Sequence, residues 1–249
     1  MKIRLIVLFC LLSTTLFARD YTRGCKGKWD QFLLTHNFPR DFRSLTYKCD
    51  LDLKEAINLV ISKNQNSDYK QARYWLYNEL DYQNGELCDV YSSMCVSHDG
   101  ESYPNDKVIN CEHTWPQSFG AVGVARADLH HLFTATPSMN SRRNNHPFCE
   151  PVTIIWEERG SALGKNENGQ TCFMPPEKHR GNVARAMFYF ATRYNFRVDQ
   201  TQESFFKKWN IEDVAGEEDG LRNDRIENLQ GNRNIFVDYP ELIDFITDF

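Results

Sequence analysis

Between residues 53 and 80 the apolar side chains recur at helical spacing. Leu53, Ala56, Ile57, Val60 and Ile61 share one face, which predicts a helix over Leu53–Lys63 opening on a capping-box-like Asp52 and Glu55. Tyr69, Ala72, Leu76 and Leu80 align in the same way and predict a second helix, Tyr69–Leu80, that stops before Asn84-Gly85. The period then shortens. Leu87–Tyr91, Val108–Glu112 and His131–Ala135 read as short strands, the first two separated by a polar loop through Gly100–Asp106. Thr136-Pro137 marks a helix start with proline at the first position, which puts Asn140 in the first turn, aimed back at the strand ends. Helical spacing returns in Val183, Ala184, Met187, Phe188 and Ala191, and Asp199 with Gln202 caps a helix carrying Phe205, Phe206 and Trp209. An acidic loop, Glu212–Asp219, follows. Beyond it lie Asn223-Asp224-Arg225-Ile226 and Gln230-Gly231-Asn232-Arg233-Asn234, the latter a turn whose side chains should bind backbone groups. There is no internal repeat or low-complexity linker. The reading is α+β: a mostly helical single domain with short strands.

The first eighteen residues stand apart. Lys2 and Arg4 precede an apolar run from Leu5 to Phe17, and Ala18 is a suitable small residue for cleavage, so residues 1–18 read as a secretory signal. The run is short for a membrane span, and Arg19 and Asp20 follow at once. The expected mature domain, residues 19–249, is soluble and exported, periplasmic or secreted. Seven cysteines remain in it: Cys25, Cys49, Cys88, Cys95, Cys111, Cys149 and Cys172. An oxidising compartment pairs most of them and leaves one over. Cys88 with Cys95 is the expected local bridge, and Cys111 with Cys149 would staple the centre of the chain. Net charge falls from −5 to −7 on cleavage, but unevenly. Residues 111–200 carry 10 basic and 8 acidic side chains, whereas residues 201–249 carry 5 and 12. Only the central segment is net positive, and a basic cleft in an acidic body still attracts phosphate.

That segment also holds the candidate chemistry: Cys111-Glu112-His113-Thr114-Trp115-Pro116, then Asp128-Leu129-His130-His131, then Asn140-Ser141-Arg142-Arg143-Asn144. Metal-assisted phosphodiester cleavage needs a hard cation and a base for water. Mg²⁺ keeps several waters and takes few protein oxygens, so Glu112 and the Asn140 carboxamide make a sufficient pair. His113 has the imidazole pKa range of a base near neutral pH. Adjacent strand residues face opposite ways, so Glu112 and His113 share a site only where the strand ends, as Pro116 suggests. Arg143, Arg142 and Arg126 are candidate phosphate contacts, with His131, Trp115 and Asn144 as further substrate-binding candidates. Zinc on His130 and His131 with Cys111 or Cys149 matches no standard ligand spacing. No adjacent pattern supports Cys111 as a nucleophile.

These motifs resemble the bacterial endonuclease I family of periplasmic and secreted non-specific nucleases. The resemblance rests on Glu112-His113-x-x-Pro116, Asp128-Leu129-His130-x-Leu132, Asn140-x-x-Arg143-x-Asn145-x-Pro147-Phe148, Arg180-Gly181-x-Val183-Ala184-Arg185, Asp224-Arg225-Ile226 and Gln230–Asn234, in the family's order. It implies a ββα-metal active site on an α+β body. Glu112 and Asn140 would hold one Mg²⁺ (Mn²⁺ or Ca²⁺ substituting in binding), and His113 would be the general base. It also implies cleavage of DNA, and of RNA in many members, through the phosphate backbone, leaving 5′-phosphate and 3′-hydroxyl ends. No membrane contact is expected after signal cleavage, and nothing in the sequence bears on a protein inhibitor. One departure is visible. Some members carry a long insertion between the Glu-His and Asp-Leu-His motifs, with an arginine that stabilises the transition state. Here only Thr114–Ala127 intervene, leaving Arg126 or Arg143 as substitutes.

Overall fold

The computed structural model describes residues 24–249; the expected signal, residues 1–18, lies outside them. Helix α1, residues 24–35, and a 3-10 turn, Arg40–Leu45, precede α2, Asp50–Ile61. The second helix begins three residues earlier than its periodicity predicts, so Asp52 lies inside the first turn and caps nothing. Asp50 turns away instead and accepts hydrogen bonds from Thr247 N and Oγ1. Helix α3, Tyr69–Trp75, is capped by the Asp68 carboxylate and continues as a π-helix, Leu76–Leu80, so the predicted extent holds with a changed pitch. Asn84 and Gly85, at φ 53° and 87°, turn β1 (Tyr82–Gln83) into β2 (Glu86–Cys88). β3, Cys95–Ser97, completes this antiparallel sheet. The strand predicted to reach Tyr91 ends at Cys88, because Asp89 accepts from Tyr91 N and Ser92 N and folds the chain into a turn.

The central unit is a hairpin followed by a helix. β4, Asn110–His113, pairs antiparallel with β5, Leu132–Ala135, with Glu112 opposite Phe133 and His113 opposite Leu132. Thr136 caps α4, Pro137–Arg143, whose short length leaves Asn140 at its middle. A third antiparallel sheet, β6 (Thr153–Glu158), β7 (Ser161–Lys165) and β8 (Thr171–Met174), follows where no strand was expected.

Helix α5, Glu177–Tyr194, is the hub. The predicted stripe is present, but Gly181 and the run Val183–Arg193 are buried on every side, because α2, α6 (Gln200–Glu212) and α8 (Ile235–Asp238) pack around it. Asp199 caps α6 as expected, while Gln202 accepts from Phe148 N and does not complete a capping box. The acidic stretch is only partly a loop. Helix α7 begins at Glu217 and runs to Gln230, so its first turn takes Glu217, Glu218 and Asp219, where acids favour the positive end of the helix dipole. Asn223–Ile226 are therefore helical. The Gln230–Asn234 turn behaves as expected: Gln230 accepts from Leu129 N, Asn232 donates to Ile61 O, and Asn234 donates to Arg185 O.

Three disulfides close the chain, Cys25–Cys49, Cys88–Cys95 and Cys149–Cys172. The local bridge is as expected. The Cys111–Cys149 pairing is not: Cys149 sits beside β8 and bonds Cys172, while Cys111 is a free, buried thiol. No helix among the described residues is long and apolar enough to cross a membrane.

Candidate active site

A cavity of about 680 Å³ opens over the end of β4 and the flank of α4. Tyr69, Arg73, Asn110, Glu112, His113 and Arg126 line it, with Gln117, Asn140, Ser141, Asn144 and Asn145 around the rest of its wall. Strand alternation places Asn110 and Glu112 on one face of β4. The Asn140 amide nitrogen donates to Asn110 Oδ1 at 2.8 Å and to Cys111 O at 3.3 Å. Both donors of that amide point at the strand, and no described residue donates to its oxygen.

Glu112 is 2% exposed. Its Oε1 accepts from Tyr91 OH at 2.8 Å and lies 3.0 Å from Arg143 Nε. Burial pushes this carboxyl's pKa up, against the Arg143 charge and the Tyr91 hydrogen bond. Glu112 and Asn140 thus bring two hard-oxygen side chains, the chemistry that Mg²⁺ accepts, to the lining of one cavity.

His113 ends β4, where the strand gives way to Thr114-Trp115-Pro116, so it shares the cavity with Glu112. Its Nε2 lies 3.1 Å from the Arg126 carbonyl. A carbonyl only accepts, so Nε2 carries the proton and Nδ1 keeps the lone pair, with Gln117 Nε2 at 3.4 Å. Burial, aided by the neighbouring His131, lowers the His113 pKa to about 3, so the ring is neutral near pH 7. A neutral imidazole whose Nδ1 lone pair meets only the long Gln117 contact can accept a proton.

The other candidates separate into wall and support. Arg126 is exposed at the wall, its guanidinium 4.1 Å over the Tyr69 ring. Asn144 also lines the cavity, and Arg142 lies outside that lining, stacked 4.3 Å over Trp156. Arg143 is 1% exposed and turned inward: it donates to the carbonyls of Thr114, Asn144 and His146 and is absent from the wall. Trp115 stacks on Phe190 in the core and donates to Phe119 O. His131 is fully buried, bonded through Nε2 to Ala125 O and set edge-on against His113. Neither of these two reaches the cavity.

Asp128 and His130 are support as well. Asp128 is completely buried and accepts from His130 N, Gln230, Tyr189 and Tyr194, with Arg193 Nε at 3.5 Å. Burial alone would raise its pKa, but His130 and Arg193 hold it down. His130 Nε2 lies 3.0 Å from the Asn232 carbonyl, and Cys149 is in a disulfide, so this group is not arranged for zinc. The Cys111 thiol, pushed up to about 12 by burial, is protonated near neutral pH and a poor nucleophile.

Sequence reasoning missed several wall residues. Asn110 was findable, because it lies two positions before Glu112 on a strand and must share its face. Arg73, stacked near Tyr69 and ion-paired with Asp106, comes from a helix face read as core. Tyr91, buried behind Glu112 and outside the wall, gives no local signal.

An acid–histidine pair closes the first strand of a hairpin, and an asparagine stands on the helix that follows, a ββα arrangement. The chain belongs to the Endonuclease I family, which matches it over residues 50–241, and it is accordingly a nuclease. It is 30% identical to an extracellular ribonuclease of Bacillus amyloliquefaciens over 231 residues, covering 82% of this chain and 77% of that protein. An extracellular ribonuclease of Bacillus subtilis (strain 168) is 33% identical over 55% of this chain and 53% of its own length. A periplasmic deoxyribonuclease of Aeromonas hydrophila is 31% identical over 45% of this chain and 47% of its own.

Proposed function

We propose that this chain is an exported, Mg²⁺-dependent endonuclease that hydrolyses DNA and RNA without sequence preference, leaving 5′-phosphate and 3′-hydroxyl ends. The observation that carries this reading is the Asn140 carboxamide: its nitrogen is committed to Asn110 and the Cys111 carbonyl, which leaves its oxygen for a ligand in the cavity that Glu112 also lines. Glu112 and Asn140 would hold the ion. When bound, Mg²⁺ polarises the phosphate and stabilises the departing oxygen.

The chain's own residues do the rest. His113 Nδ1 takes a proton from the attacking water, while the Arg126 carbonyl keeps the ring in the required tautomer. Arg126 and Arg73 at the wall and Asn144 on its rim bind phosphate, and Arg142 meets the flanking backbone. Arg143 acts through Glu112 and not on phosphate, and His131 and Trp115 support the His113 loop from beneath. Backbone contacts of this kind position the substrate without reading bases. Export is supported by the expected leader, the three disulfides and the extracellular or periplasmic relatives.

A preference for RNA is the second reading, favoured by the ribonuclease that matches most of the chain. Parallel digestion of supercoiled plasmid, single-stranded DNA and RNA across a Mg²⁺ series, with EDTA controls, separates the two. Cleavage of all three, abolished by EDTA, is expected. Undiminished cleavage in EDTA overturns the metal reading, and RNA-only cleavage establishes the second.

A further inference from the structure

Both residues assigned to the cation are tied to one short turn that neither motif contains. This turn, Asp89–Met94, lies between Cys88 and Cys95 and is closed by their disulfide. Asp89 is buried and splits its carboxylate between two elements. Oδ1 accepts from Tyr91 N at 2.7 Å and Ser92 N at 3.2 Å, which shapes the turn. Oδ2 accepts from Thr136 N at 2.9 Å and Thr136 Oγ1 at 2.6 Å. Thr136 is the N-cap of α4, the helix that carries Asn140.

Tyr91 extends from the same turn to the other ligand, its hydroxyl 2.8 Å from Glu112 Oε1. The ring has little freedom. It packs edge-on against Phe173 and His179, its own carbonyl accepts from Ser161 Oγ, and the turn docks on β5 through Val90 N to Thr134 O. A hydroxyl held this firmly selects one carboxylate oxygen and one rotamer of Glu112.

We infer that Asp89 and Tyr91 are positioning residues for the cation site: Tyr91 fixes the Glu112 carboxylate and Asp89 sets α4, and thus Asn140, relative to it. This rests on the assignment of Glu112 and Asn140 to the metal. Partners of this kind orient a ligand before the ion arrives, and losing one typically weakens metal affinity about 10- to 100-fold. The effect belongs to binding more than to turnover. With enough metal, the carboxylate is drawn into place and the maximal rate recovers.

The test is calorimetric titration of the folded mature protein with Mn²⁺, without nucleic acid, alongside the Mg²⁺ midpoint and maximal rate of plasmid cleavage. Tyr91→Phe keeps the ring and removes only the hydroxyl. Asp89→Asn is the second variant, since an amide cannot accept at both positions. Tyr194→Phe is the control: it deletes an equally short hydroxyl–carboxylate bond, to Asp128, away from the cavity. Expected is a Kd raised at least 10-fold in Tyr91→Phe and raised in Asp89→Asn, with the rate restored at high Mg²⁺ and Tyr194→Phe at the wild-type Kd. A wild-type Kd in Tyr91→Phe, or equal weakening in Tyr194→Phe, overturns the inference. Mn²⁺ binding that survives Glu112→Gln unchanged overturns instead the assignment beneath it.

Discussion

His113 shows how one side chain's chemistry is set by two neighbours it does not react with. The Arg126 carbonyl decides which nitrogen holds the proton, and burial keeps the ring uncharged. A positioned base contributes about 10²- to 10⁴-fold, so His113→Ala should cut the maximal cleavage rate by that order while nucleic-acid affinity stays within a few-fold. Filter binding in EDTA beside a cleavage assay checks both. A rate within threefold of wild type removes His113 from the base role. At this scale the sequence was only partly legible. The Glu-His pair and the later asparagine could be placed because strand alternation and a proline-marked helix start are local rules. Arg143 was misleading, since a buried guanidinium and a phosphate contact look alike beside Asn140. Its inward turn is a tertiary fact, fixed by the carbonyls of Thr114, Asn144 and His146.

Among the elements, the helices were legible from their periodicity and the small sheets less so. Strand β4 is legible because it ends in the Glu112-His113 pair. Strands β6 to β8 are not legible because none alternates: β6 is an exposed edge, and β7 and β8 bury adjacent residues. The Arg-Gly-x-Val-Ala-Arg motif finds its explanation in helix packing and not in chemistry. Gly181 donates its N–H to Asp213 Oδ2, and a Cβ there would stand 1.9 Å from Asp213 O. Arg185, one turn on, donates to that same carbonyl. Gly181→Ala must therefore push α5 away from the end of α6. Overpacking of this kind costs roughly 1–3 kcal/mol, and the denaturant midpoint should fall accordingly. An unchanged midpoint would mean that the α5–α6 junction yields without cost.

For the whole molecule, the buried histidines make stability depend on acid. His179 packs between Tyr91 and Phe133 with its Nε2 unpartnered. Burial first, then Arg222, Arg185 and Lys178, lower its pKa to about 3. Unfolded, the ring titrates near 6.5. Above that pH both states are neutral and nothing is lost. Below it the unfolded chain binds a proton that the folded chain refuses, so stability falls steadily from about pH 6.5 towards 3. By pH 5 this one group costs about 2 kcal/mol. Comparing urea midpoints at pH 7.5 and 5 should show the loss, and His179→Leu should narrow the gap by that amount. An identical gap in the variant would assign the acid sensitivity elsewhere.

The odd cysteine has a consequence for how the chain must mature. Cys111 is withdrawn from exchange only once β4 is closed against β5 and its side chain is buried in the hairpin. Before then a seventh thiol competes for partners that the native pairs require, and a bridge drawn to it would pull the hairpin apart. Once the hairpin is closed, the strand that bears Glu112 and His113 also keeps the odd thiol out of the chain's own cross-links.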